Sequence, residues 1–369
     1  MTLLLDITDL RDDPANAGME LLHKAMAEGE PYPAHENPYL TQLVELFHSR
    51  GVTQLDAMWG ELLDLLHGRA AFDPNAPHGR LTAAELSLLE QLLRSGNPES
   101  YTLNDWMLLV DYWVEKYLPH TFAATQAQWL VARAVFMGRL QAAMAKAPEQ
   151  RILDRALDMA VGQPVTAPIA KVLEFGRAHA TENIVSLADG VKHKVKNAVL
   201  NHIEEQSLAG KTFSTGLEGL QSKLFDQFGE YNSDWRRISI TETGEMAGQA
   251  FVASCKYGKK LKRIEIYEGA CKFCQKINGM IVTVVDPAKQ YKDPWKEIWI
   301  GKDNVGRSAS PLKKVGGKLV PRSPDEMWWM PASLAHPNCR GSYIPADVTV
   351  APSDDEEFAK YLQDLWSKT

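Results

Sequence analysis

Cys271-x2-Cys274 and, much further along the chain, His336-x2-Cys339 are the residues best suited to chemistry by type and spacing. Two cysteines two residues apart can turn both sulfurs toward one ion, and His-x2-Cys can do the same from the other side. Together they offer three thiolates and an imidazole, a complete tetrahedral zinc set of Cys3His type. The 61 residues between Cys274 and His336 exceed the spacing of a zinc finger, so a metal here would fasten a strand turn to a distant loop. Pro337 fixes the chain between the last two donors. Four protein ligands leave no position for water, so the expected role of the zinc is structural. The competing reading is a redox pair at Cys271 and Cys274, with His336 and Cys339 unconnected to it. Cys255 lies outside the set.

A catalytic site would need a general base and a vacant coordination position. His179-Ala-Thr-Glu182 approaches the H-x-E of zinc deaminases, but the spacing is one residue too long and no proline precedes Cys271. Gly316-Gly317 lacks the Lys-Ser/Thr and the following helix of a phosphate loop. There are no paired carboxylates and no nucleophile elbow. The reading is therefore of a protein that is not an enzyme. The alternative is a zinc-dependent enzyme acting on nucleic acid or nucleotides, which a carboxylate beside the ion or a ligand-free position would favour.

The elements that must position these residues belong to a chain of 369 residues, 45% hydrophobic and 24% charged, of ordinary globular usage. At about 150 residues per domain this is two to three domains. No apolar run reaches the roughly 18 residues needed to span a bilayer. The beginning of the chain has no basic region ahead of its apolar stretch, so a cytoplasmic origin is expected. Residues 35–160 read as helices. Thr82 and Glu85 form a capping box before Leu86, Leu89, Leu92 and Leu93, and Gly96 supplies a stop. Thr102 opens a second helix with Trp106, Leu109, Val110, Trp113 and Tyr117 on one stripe. A third, over about 126–147, turns Trp129, Ala132, Phe136 and Leu140 inward. Long helices resume near Pro168 and run to Gln206. A shorter one covers 214–228, and another runs from near Asp234 to about Tyr257. After Lys256 the β-branched runs at Ile264, Ile266 and 281–285 favour strands. Residues 286–335 are too long for one structureless loop, and one or two hairpins, or an arm ordered by a partner, are expected there. The fold class is thus mainly α with a small α+β C-terminal module. The divisions are 1–160, 165–257, 258–346 and an acidic connector with a final helix at 347–369.

Charge is unevenly spread. Residues 251–345 hold 17 Lys and Arg against 8 Asp and Glu, a net +9, while the whole chain is −7. Lys259, Lys260, Lys262, Arg263, Lys313, Lys314 and Lys318 are the candidates to face DNA, weakly and without sequence preference. A solvated lysine-rich face is the plainer reading.

The order of these features resembles the phage Mu F-like minor head protein family, also called the phage head morphogenesis domain. The features are a helical region, Ile238-Ser-Ile-Thr241-Glu242 in a helix, a basic helix end over 257–263, Cys271-x2-Cys274 with Asn278-Gly279, and His336-Pro-Asn-Cys339-Arg340. The resemblance covers about 165–345. It departs at Ile240, where the family usually has Arg, and at Gly341, where the family's HPxCRC has its last Cys. It implies a minor structural protein of a tailed-phage head, acting at the portal vertex, with the portal or major capsid protein and other copies of itself as partners. It also raises Glu242 from a solvated charge to a buried partner of a cation, with Arg236, Arg237 and Arg340 as candidates. Near the end, Ser353 and the acids after it resemble a helix start, and Phe358, Tyr361, Leu362, Leu365 and Trp366 make one apolar stripe. That stripe is expected either to pack on the protein's own core or to anchor in a partner's groove.

Overall fold

A computed structural model describes residues 38–144, 165–210, 217–265, 267, 269–289 and 293–346. The protein is mainly helical, with a small sheet region toward the C-terminal end. The helices are α1 (Pro38–Leu66), α2 (Ala83–Ser95), α3 (Leu103–Tyr117), α4 (His120–Met144), α5 (Ala167–Leu208), α6 (Leu217–Ala253) and the short α7 (Lys272–Ile277). The strands are β1 (Lys260–Ile264), β2 (Ile281–Val284), β3 (Glu297–Ile298), β4 (Leu312–Val315), β5 (Lys318–Pro321) and β6 (Ser342–Pro345). The expected C-terminal helix, with Phe358, Tyr361, Leu362, Leu365 and Trp366, lies outside the described residues.

Packing divides the chain into two compact units made of separated segments. Among the described residues, one comprises those of 47–128 and 177–238, and the other those of 38–46, 129–176 and 239–346. The boundaries fall inside α1, α4, α5 and α6, rather than at the changes of texture that mark the sequence.

In the first unit, local signals set the helix ends. Thr82 accepts from the Glu85 amide at 3.3 Å while Glu85 accepts from the Thr82 amide at 2.7 Å, and Gly96 closes α2 in the left-handed region. Thr102 and Asp105 cap α3 in the same reciprocal way. Trp106, Leu109, Val110 and Trp113 are buried as their spacing predicts, and the Trp113 indole donates to Met58 O at 2.9 Å. Trp235 stacks on Phe47 with ring centroids 5.0 Å apart and donates to Phe47 O.

Residues 214–228 and 234–257 are not the two helices expected of them, because α6 runs unbroken from Leu217 to Ala253. Leu224, Phe228, Tyr231, Trp235 and Ile238 are all buried, which carries the helical period across the Gly229–Ser233 stretch. The Tyr231 hydroxyl donates to the Val191 and Gly190 carbonyls at 3.2 and 3.3 Å, anchoring the place where polar residues suggested a break.

The second unit carries the sheet. Its order is β3-β2-β1-β6, with β1 antiparallel to β2 and β6, and β2 parallel to β3. Its core joins Leu261, Val282, Val284, Ile298, Cys274, Ile277, Cys339 and Tyr343 to Phe251 and Val252 of α6 and Ala142 of α4. In α4, Phe136 and Leu140 are buried as expected, with Leu130, Val131, Ala134, Val135 and Ala142 among their buried neighbours, while Ala132 is only half-buried. Trp129 is only half-buried, at the rim, under the Arg133 guanidinium. Strands β4 and β5 form a separate antiparallel hairpin, the one hairpin of the 286–335 stretch among the described residues.

The basic run over 257–263 is a turn and strand, not a helix end, and this overturns the placing of Arg263 among DNA-facing residues. Alternation along β1 turns Leu261 and Arg263 to the core while Lys260 and Lys262 point the other way. Arg263 is fully buried. Lys260, Lys314 and Lys318 are exposed, Lys259 and Lys262 are half-buried, and Lys313 pairs with Glu326.

Candidate metal centre

Two turns bring the cysteine and histidine motifs together. Cys271 is the N-cap of α7: its sulfur accepts from the Cys274 amide at 3.5 Å, so one helical turn aims both sulfurs to the same side. His336-Pro-Asn-Cys339 is a tight turn closed by the Cys339 amide donating to His336 O at 3.0 Å. Pro337 supplies the fixed φ of its second position, and Asn338, at φ 62, takes the left-handed conformation of the third. Asparagine is among the few residues that adopt that region cheaply, which explains its presence between the two donors.

His336 and the sulfurs of Cys271 and Cys274 lie at metal-binding separations, and Cys339 reaches the group through Cys274. His336 Nε2 is 3.3 Å from Cys271 Sγ and 3.2 Å from Cys274 Sγ, and Cys274 Sγ is 3.9 Å from Cys339 Sγ. Ordinary zinc–sulfur and zinc–nitrogen bonds in a tetrahedron put such atoms about 3.5–3.8 Å apart. The His336 tautomer suits this role. Its Nδ1 lies 2.8 Å from Pro337 O, and a carbonyl only accepts, so the proton sits on Nδ1 and the Nε2 lone pair faces the sulfurs. The four residues form a cluster that could hold a metal ion. Cys271, Cys274 and His336 lie mutually within 4.8 Å, and Cys339 joins through Cys274. Cys255 is not among them.

Electrostatics around the cluster favours a thiolate at Cys339. Hydrogen bonding from the Cys274 thiol, aided by the Arg263 guanidinium and the Tyr267 hydroxyl, holds the Cys339 thiol well below its usual range. The same thiol–thiolate hydrogen bond, together with burial, pushes Cys274 up. The Arg263 guanidinium donates to Ser333 O at 2.5 Å, lies 3.7 Å from Cys339 Sγ, and rests over the Tyr343 ring.

Helix α6 supplies the floor for the His336 loop, through residues that helix periodicity alone would have left as surface. Thr241 Oγ1 accepts from the Asn338 amide at 3.1 Å, Glu245 accepts from the Leu334 amide at 3.3 Å, and Gln249 donates to Ser333 Oγ at 3.2 Å. These three are spaced by four, on one stripe. Of the Thr241-Glu242 motif, Thr241 meets the loop, while Glu242, expected to pair with Arg236, Arg237 or Arg340, is fully buried and Arg340 is exposed.

A second support is the 299–304 loop. Lys302 O accepts from the Ala332 amide at 2.7 Å, and Asn304 donates to Ala335 O at 3.0 Å while accepting from the Trp329 amide. The Lys302 ammonium is buried between the Trp299 and Trp329 rings, 4.6 and 4.8 Å from their centroids, and donates to Pro294 O and Glu297 O. Trp328 stacks on the His336 ring at 5.3 Å and fixes its plane. No spacing in the sequence marked Lys302, Asn304 or Trp328, since their partners are set by tertiary packing.

No family model, curated protein or solved structure matches this chain. No helix among the described residues is long and apolar enough to cross a membrane. His179 lies in α5, beside Asn183, and is in neither of the metal-capable groups.

Proposed function

We propose that this chain is a minor structural protein of a tailed-phage head, acting in head morphogenesis at the portal vertex, with zinc as a structural ion in its sheet-bearing unit. The observation that carries the reading is the hydrogen bond from the Asn338 amide to Thr241 Oγ1. It joins the two motifs on which the family resemblance rests, a helix segment and a His-x2-Cys loop 97 residues apart. A site with four protein donors has a structural role when filled by zinc. Its partners would be the portal or major capsid protein and further copies of itself. Lys259, Lys260, Lys262, Lys313, Lys314 and Lys318 would give weak contact with packaged DNA. Glu242 and Arg340 are proposed as a pair at the foot of the same loop.

The enzyme reading has one observation in its favour, the Glu265 carboxylate beside Cys339. That side chain is 0% exposed and clamped by Arg263, so it is not placed to take a proton from a solvent-borne water. The structural reading is the stronger. Quantitative mass spectrometry of purified heads of the phage encoding the chain tests it. The chain should be present at low copy and lost from particles when Cys274→Ser removes the staple. Absence from complete, DNA-filled heads would contradict the reading.

A further inference from the structure

Glu265, just after β1, is a donor that the Cys3His set does not use. Its Oε1 is held by Arg263, 2.7 Å from Nε and 2.5 Å from Nη2, and both carboxylate oxygens lie near Cys339 Sγ, at 3.7 Å for Oε1 and 3.6 Å for Oε2. Glu265, Cys274 and Cys339 form a second, fully buried group of donors mutually within 4.8 Å, sharing Cys274 with the first. The Arg263 guanidinium lies close to both Glu265 and Cys339 Sγ and lowers the cost of burying them together. What marks Glu265 as a donor is its place within 4.8 Å of Cys274 and Cys339. Gly341 makes the arrangement possible. A Cβ on that residue would fall 2.1 Å from Glu265 Oε1 and 2.4 Å from Oε2, so any side chain there would drive the carboxylate out.

We propose that Glu265 is a fifth donor of the metal centre, held in reserve beside Cys339 and able to fill the fourth coordination position when Cys339 does not. The proposal rests on the reading of the four-residue cluster as a zinc site. Zinc also accepts a carboxylate oxygen as a ligand, at about 2.0–2.2 Å. Gly341 is the residue that keeps the reserve open.

The test is zinc content and X-ray absorption on the full chain, with far-UV dichroism to follow the helices. Cys339→Ala should retain about one zinc per chain, its shell losing one sulfur and gaining one light atom. Cys339→Ala combined with Glu265→Gln, or with Gly341→Ala, should lose the metal, while Glu265→Gln alone should keep it. The proposal is overturned if Cys339→Ala and the milder Cys339→Ser both lose zinc as completely as Cys274→Ala does, whether folded or not. It is equally overturned if the double variants still hold zinc. A wild-type chain without zinc would overturn the site itself, and the proposal with it.

Discussion

At the scale of single residues, the turn that carries His336 and Cys339 depends on one backbone conformation. Asn338 sits at φ 62, where a β-branched side chain is strained. Asn338→Gly should therefore leave thermal stability and metal content nearly unchanged, whereas Asn338→Val should cost about 1–2 kcal/mol by denaturant unfolding. Equal costs for the two would mean that the side chain, and not the backbone, sets the turn. Lys302 offers a test by pH. Burial pushes its amine down from 10.5 to about 7, with the nearby Arg307 adding to the effect and Asp293 and Glu297 opposing it. Between those pH values the unfolded chain binds the extra proton, so the stability contributed by this group rises with pH across that window. Relative to Lys302→Met, the wild type should gain stability from about pH 7 to pH 10. A difference flat with pH would refute the shifted amine. The residues of the metal cluster were legible in the sequence because CxxC and HPxC are local patterns. Glu265 and Arg263 were not, since their meaning depends on strand alternation and on which face of β1 meets Cys339.

At the scale of elements, close packing of helices is written in small residues. A Cβ on Gly138 of α4 would lie 2.1 Å from Ala247 O and 2.9 Å from the Ala250 Cβ, both on α6. Gly138→Ala should destabilise the sheet-bearing unit by about 1–3 kcal/mol, because α4 and α6 must move apart. A melting temperature unchanged or raised by this substitution would show that the helices can separate without cost. The helices themselves were largely readable: capping boxes at Thr82 and Thr102 mark their starts, and the buried tryptophans mark their inner faces. The continuity of α6 was hidden, because Tyr231 is held by carbonyls of α5, an anchor that spacing cannot reveal. The 286–335 stretch was legible only as texture. Its order comes from long-range bonds through Lys302 and Asn304 rather than from periodic burial.

At the scale of the whole molecule, charge and metal each make a claim. The exposed Lys260, Lys314 and Lys318 should give the full chain weak, sequence-independent affinity for duplex DNA that falls steeply with salt. Replacing each by glutamate should weaken binding equally for all sequences and flatten the salt dependence by about one unit for every phosphate-facing lysine removed. No binding even at low salt would leave these lysines as a solvated face. The central claim is that the loop at His336 and the turn at Cys271 are joined by an ion. Zinc content of the purified full chain, measured by inductively coupled plasma mass spectrometry beside a thiol titration, tests it most directly. The predicted result is about one zinc per chain, lost in Cys274→Ser together with order in the sheet-bearing unit, while Cys255→Ser keeps it. A metal-free native chain, or a disulfide between Cys271 and Cys274, would contradict it.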